Sequence, residues 1–221
     1  MSNVADPYLL SMPGASPEYS AAREQLRLAE RALTEAREGI AAMRRALPLG
    51  PEVKDYEFDD VRNGPVRLSQ LFTGGKPDLV LYHLMYWADD DEFCPMCSMW
   101  VDGWDGVAHH VGQRANVAVA SVAPVEKLRA WAERRGWRRI RLLSDRGASF
   151  AHDTGAEDRE GRTDSTVLVF ANDGAAIRHV YTGHPFMDDK QRNIDLLCPV
   201  WHVLDLLPSG RGEWSASNDY A

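Results

Sequence analysis

The sequence contains no apolar run near the roughly 18 residues that a membrane-spanning helix needs, which argues against a helical span. It is also short of positive charge. Lys and Arg number 25 against 33 Asp and Glu, for a net charge of −8. The one dense basic stretch, Arg134-Arg135 through Arg141, closes an expected helix and opens a strand, so it reads as a solvated surface. An acidic chain without a basic face repels phosphate backbones, and no nucleic-acid partner is expected. Cysteine is scarce: Cys94, Cys97 and Cys198 are the only three. An odd, low count does not make the disulfide framework of a small secreted domain. Met1–Gly14 has neither a basic start nor a sustained apolar core, so no secretion signal is read there and the expectation is a cytoplasmic protein with no membrane partner. Internal repeats and low-complexity tracts are absent beyond mildly biased ends.

What remains is a globular composition, 44% hydrophobic and 26% charged over 221 residues. That length suits one domain with an extension. The expected division is a tail and amphipathic helix over 1–50, an α/β domain over 51–212 and a tail over 213–221. Ser16 before Pro17 signals a helix start. Leu26, Ala29, Leu33, Ala36, Ile40 and Met43 then recur at steps of three or four until Pro48 and Gly50. Such a helix packs on its own domain or pairs with a second copy, which leaves a homodimer through this helix as an open expectation.

Short strands are expected at 56–58 and 66–68, around the turn Asn63-Gly64. Asp78–Tyr86 is nearly all apolar and bounded by Pro77 and the acidic run Asp89–Glu92, the pattern of a strand buried on both faces. A helix from Pro95 to about Gln113, a strand over 116–123, a helix over 124–135 and a short strand over 140–143 follow. A hairpin over 165–181 and a closing helix over 191–206, interrupted by Pro199, complete the order. Strand–helix–strand units imply parallel pairing with right-handed crossovers, and the terminal hairpin adds antiparallel strands.

Within this order Cys94-Pro95-Met96-Cys97 falls between a buried strand and a helix, where open α/β sheets carry their sites. Cys94 can take the N-cap, with Pro95 at the first helical position and Cys97 one turn inside. A thiolate at the N-cap faces free backbone N–H groups and the positive end of the helix dipole, both of which lower its pKa. Cys94 is then the attacking thiol and Cys97 the resolving one. Asp89, Asp90, Asp91 and Glu92 oppose that shift, and its sign stays open at this level.

The stretch Tyr82–Gly106, with Cys94-Pro95-Met96-Cys97-Ser98, Trp100, Asp102 and Trp104-Asp105-Gly106, resembles the DUF899 family of bacterial proteins. Arg44–Pro48, Lys54–Phe58, Ala123–Leu128, Gly136-Trp137 and Leu204–Pro208 agree with it too, so the likeness spans about residues 25–212. It implies a thioredoxin-like mixed sheet flanked by helices, with a long N-terminal helical extension, and it suggests thiol–disulfide chemistry. Two departures stand out. Asp164-Ser165-Thr166 occupies the place where thioredoxins carry a cis-proline, and Asp91 stands where peroxiredoxins carry a threonine three residues before the attacking cysteine.

The main expectation is therefore a thiol–disulfide oxidoreductase that needs no cofactor. It would act on a disulfide or oxidised small-molecule or protein substrate and be restored by an external thiol reductant. Trp87, Trp100, Trp104 and Arg162 are candidates to wall a substrate pocket; packing and a surface position are the plainer roles for them. A second expectation is a copper or zinc site, since soft thiolates with imidazole suit either metal. Its ligands would be Cys94 and Cys97 with His83 or His184. His109-His110, His202 and Cys198 are expected to be structural. A third expectation is an interaction module in which the long helix assembles copies and the thiols are vestigial.

Overall fold

A computed structural model describes residues 13–158, 160–184 and 197–219. The chain divides between Pro48 and Leu49 into two compact units. The first contains α1 (Pro17–Arg45), in which the Ser16 side chain caps the start by accepting from the Tyr19 amide at 3.2 Å. Ion pairs one turn apart, Arg27–Glu24 and Arg31–Glu35, line its polar surface. Leu26, Leu33, Ile40 and Met43 of its apolar stripe are exposed.

The second unit runs β1 (Glu57–Asp60), β2 (Gly64–Arg67), a single 3₁₀ turn (Leu68–Leu71), β3 (Asp78–His83), α2 (Pro95–Val111), β4 (Asn116–Ser121), α3 (Val125–Arg135), β5 (Arg141–Ser144), α4 (Ser149–Thr154), β6 (Thr166–Asn172), β7 (Ile177–Gly183) and α5 (Pro199–Leu204). The strands form one seven-stranded sheet in the order β2-β1-β5-β4-β3-β6-β7. β3, β4 and β5 are mutually parallel, joined by crossovers through α2 and α3. β6 pairs antiparallel with β3, and β7 with β6. β1 pairs antiparallel with both β2 and β5.

Side-chain alternation divides this sheet between two cores. Tyr82, Val119, Leu142 and Val167 face α2 and α3, where they meet Trp100, Val101, Leu128 and Trp131. Leu79, Leu81, Ala118, Leu143 and Leu168 point the other way, onto Phe150 of α4 and Leu68, Leu71 and Phe58. Burial on both faces is why the central strands read as continuous apolar runs.

Most boundaries shift by a few residues from the sequence expectation, and three differences have a physical reason. β3 stops at His83, although Leu84 and Tyr86 are buried. The apolar run there reports burial in the α2-side core, and strand pairing ends earlier. Pro199 is the first residue of α5 and interrupts nothing; residues 191–196 of the expected closing helix lie outside the described residues. α4 was not expected at all, because six residues with the sequence SFAHDT carry too short a pattern to show a period.

α2 is locked to α3 by one buried ionic knot. The Asp102 carboxylate accepts from Arg135 and from Trp137 Nε1 at 2.7 Å, and the Arg135 side chain is only 1% exposed. Asp105, one turn on, accepts from the backbone N–H groups of Arg139 and Ile140 at 2.7 and 2.8 Å, fixing the entry to β5. Truncating Asp102 leaves a buried guanidinium without its carboxylate, a loss of about 3 kcal/mol in such settings. Urea unfolding of Asp102→Ala is expected to show a lower midpoint with an unchanged slope, and Arg135→Met is expected to recover part of the loss.

Candidate active site

Cys94 is the N-cap of α2, with φ −52° and ψ 125°, and Pro95 takes the first helical position. The first intrahelical bond runs from the Ser98 N–H to the Cys94 carbonyl at 2.9 Å. The amides of Met96 and Cys97 are left without partners in the helix, and their positive ends favour a thiolate at Cys94. Cys94 is half-buried, Cys97 is buried, and both are free thiols.

The two sulfurs differ in charge preference. The Cys97 thiol donates to the Cys94 sulfur, and this is the largest effect lowering the Cys94 pKa. The amides of Cys97 and Met96 add to it, against burial and the negative charge of Asp164, and the outcome is about 6. Cys97 is pushed well above the usual thiol range, first by the same hydrogen bond and then by burial and the neighbouring thiolate. The acidic run does not decide the balance. Asp89, Asp90 and Asp91 are exposed, and Glu92 is taken up by Arg134 and by Asn218 at 3.0 Å.

Beneath the dithiol lies a residue that the sequence reading passed over. Tyr82 of β3 is 1% exposed, and its ring stacks on Trp100 at 5.6 Å and tilts against Trp104 at 5.6 Å. Its hydroxyl bonds Cys97, and Ser165 bonds the hydroxyl in turn. Burial and the adjacent sulfurs push the Tyr82 pKa far up, so the phenol stays a donor. Donors thus run in series from Tyr82 to Cys97 and to the Cys94 sulfur.

The segment before β6 closes the site from the other side. The Thr163 hydroxyl donates to the Tyr86 carbonyl at 2.7 Å, and Trp87 Nε1 donates to the Thr163 carbonyl at 3.0 Å. His83 Nδ1 lies 3.1 Å from the Asp164 carbonyl. These contacts hold Asp164 near Cys94, where the thioredoxin pattern has proline. No cis peptide occurs among the described residues.

The expected pocket residues are dispersed. Trp100 is a core residue. Trp104 lines an apolar cavity of about 380 Å³ with Val80, Val107, Val117, Pro199 and His202, and the other three candidates do not line it. Trp87 carries the Arg162 guanidinium 4.7 Å from its ring centre, and Arg162 is further held by Asp158 at 2.8 Å. Cys198 is buried in the α2-side core.

The metal expectation gains no support from the described residues. Among the described residues no three His, Cys, Asp or Glu side chains are grouped so as to hold a metal ion. His83 is wholly buried and follows the alternation of Leu79 and Leu81 away from the Tyr82 face. His184 lies 3.5 Å from the Asp164 carboxylate.

A family model for bacterial proteins of unknown function, DUF899, matches residues 12–221. The chain belongs to the DUF899 family. No curated protein matches it. Among solved structures, this DUF899 chain resembles peroxidoxin BcpB of Mycobacterium tuberculosis at 21% identity, over 72% of this chain and 98% of that one, with a TM-score of 0.51. A PrxQ mutant of Xylella fastidiosa matches at 14% identity over 70% and 95% of the two chains, TM-score 0.53. A peroxiredoxin Q mutant of Xanthomonas campestris matches at 12% over 70% and 96%, TM-score 0.50. At such identities the likeness establishes the fold, which is thioredoxin-like as expected for the family.

The site leads to two expectations. Iodoacetamide should modify Cys94 with a rate that rises through a midpoint near pH 6, leaving Cys97 unmodified across neutral pH; a Cys94 midpoint at or above 8 would reject the described environment. His83 has its pKa lowered to about 4 by burial. Between that value and about 6.5, only the unfolded chain binds the proton. Stability is then fully present above about 6.5 and falls as pH drops, by up to roughly 3 kcal/mol. Urea midpoints at pH 7 and pH 4.5 should diverge less in His83→Leu than in the wild type.

Proposed function

We propose that this chain is a thiol–disulfide oxidoreductase with Cys94 as nucleophile and Cys97 as resolving thiol. The observation that carries the reading is the division of labour within one helical turn. Cys94 is half-buried at a helix N-terminus, a place that favours its thiolate, while Cys97 is buried one turn inside, a place that favours its thiol. Nucleophilicity and proton storage are thereby assigned to different sulfurs.

The Cys94 thiolate attacks one sulfur of a substrate disulfide, and the other sulfur leaves with the bonding electron pair. Once Cys94 is bonded to sulfur its negative charge is gone, and so is the chief cause of the high Cys97 pKa. Cys97 then attacks Cys94 Sγ and expels the second thiolate, which takes up the proton that Cys97 gives up. The substrate gains two electrons and the protein ends with a Cys94–Cys97 disulfide. An external thiol reductant restores it, and no metal or organic cofactor enters the cycle. The Tyr82 hydroxyl supports the second step by donating to Cys97 as charge develops there.

Reduction of insulin or of a small dye disulfide with excess dithiothreitol tests the reading. Cys94→Ser should lose more than about 10²-fold in rate, as removal of a nucleophile does. Cys97→Ser should instead accumulate a mixed disulfide visible by mass spectrometry. Wild-type turnover in the Cys94 variant would reject the assignment, and turnover of hydrogen peroxide in place of disulfides would redirect it to a peroxidase.

A further inference from the structure

The peptide that leads into Cys94 is held by a residue near the C-terminal end of the chain. Asn218 is 9% exposed. Its Nδ2 donates to the Phe93 carbonyl at 2.8 Å and to the Glu92 carboxylate at 3.0 Å. The Asn218 carbonyl accepts from Arg135 Nη1 at 2.9 Å, and the neighbouring Asp219 carboxylate accepts from Arg134 Nη2 at 2.8 Å. Arg135 also belongs to the Asp102 knot that locks α2 to α3. Residues 218 and 219 are therefore anchored to the end of α3 and fasten the loop that delivers the first cysteine of the dithiol.

Resting on the thiol-exchange reading, we propose that Asn218 is a positioning residue for the Cys94 nucleophile: its carboxamide fixes the Phe93–Cys94 peptide unit and thereby the seat of the sulfur at the α2 cap. The Phe93 carbonyl and the Cys94 N–H belong to one planar unit. With that plane held by Asn218 on one side and by the helix on the other, the φ of Cys94 has little freedom. The Phe93 ring is buried against Tyr86 and Trp131, with ring centres 5.1 and 5.4 Å away. Packing of a ring leaves the peptide that follows it free to turn about ψ, so the hydrogen bond supplies what packing does not.

The second bond of the same carboxamide has an electrostatic use. Glu92 stands two residues before Cys94. Asn218 and Arg134 together engage its carboxylate. An amide nitrogen carries two N–H donors, and both serve successive residues of one loop. Asn218 makes and breaks no covalent bond, and electrons still move only between sulfurs. Its effect is geometric, and a displacement of about 1 Å at a reacting atom costs up to roughly 10²-fold in rate.

The test uses the full reduced chain carrying Asn218→Ala, with thermal unfolding confirming a folded variant. Freed from its seat, the sulfur loses part of the favour of the first-turn amides, and its alkylation midpoint should rise by about one pH unit. Iodoacetamide should then modify Cys94 about fivefold more slowly at pH 6, and insulin reduction should lose about tenfold in kcat. Asp219→Asn breaks only the exposed ion pair of the same segment and should leave both readouts unchanged. A wild-type midpoint in folded Asn218→Ala, or an equal shift in Asp219→Asn, overturns the proposal. Should Asn218→Ala fail to fold, nuclear magnetic resonance of the wild-type chain decides. The Asn218 Nδ2 protons should exchange slowly with water and shift when cystamine oxidises the dithiol; fast exchange or unmoved resonances overturn the proposal. Alkylation needs no disulfide turnover, so a shifted midpoint in a chain that cannot reduce insulin would reject the exchange reading while keeping the positioning role.

Discussion

The hydrogen bond between the two sulfurs, set at the first turn of α2, is the interaction on which the rest of the site depends. It exists because Cys94 is the N-cap and Cys97 lies one turn inside. A helix start offers amide donors without internal acceptors, so a thiolate at the cap is stabilised by groups that have nowhere else to bond. The proline at the first position removes one amide that would otherwise face water, and it fixes the φ angle that the turn requires.

That arrangement needs a floor and a wall, and the sheet supplies both from one strand pair. β3 and β6 run antiparallel, with Tyr82 opposite Val167 and His83 opposite Thr166. The end of β3 therefore lies beside the start of β6. Tyr82 reaches the dithiol from below, and the segment Thr163–Ser165 reaches it from the side. A parallel β6 would carry that segment to the far end of the sheet. The topology, more than any one residue, explains why the segment before β6 and the Tyr82 phenol lie at the same end of the sheet as the dithiol.

Much of this was legible in the sequence, and the parts that were not have physical reasons. The cap position of Cys94 follows from strand, cysteine, proline and helix in order, and those signals are local. The direction of the Cys94 shift was not legible, because it turned on the Cys97 thiol and the amides set beside the sulfur in space. Four acidic residues adjacent in sequence are exposed or paired, while Asp164, seventy positions away, is buried and its charge opposes the thiolate. Tyr82 was hidden for the opposite reason. In an apolar run it looks like core, and most of it is; only the hydroxyl does chemistry. Trp100 and Trp104 follow the dithiol along α2, and their rings pack against Tyr82 beneath it, the plainer of the roles expected for them.

The absence of proline before β6 follows the same logic. A proline at the position of Asp164 would remove the carboxylate, and the carbonyl that His83 bonds would belong to a different backbone. Here the segment is held by side chains instead: the Thr163 hydroxyl on Tyr86, the Trp87 indole on Thr163 and the His83 imidazole on Asp164. Each of these bonds is buried or half-buried, so each is costly to lose. The chain fixes by a hydrogen-bonded clamp what a proline would fix by ring geometry, and the clamp leaves room for an ionisable group where proline offers none.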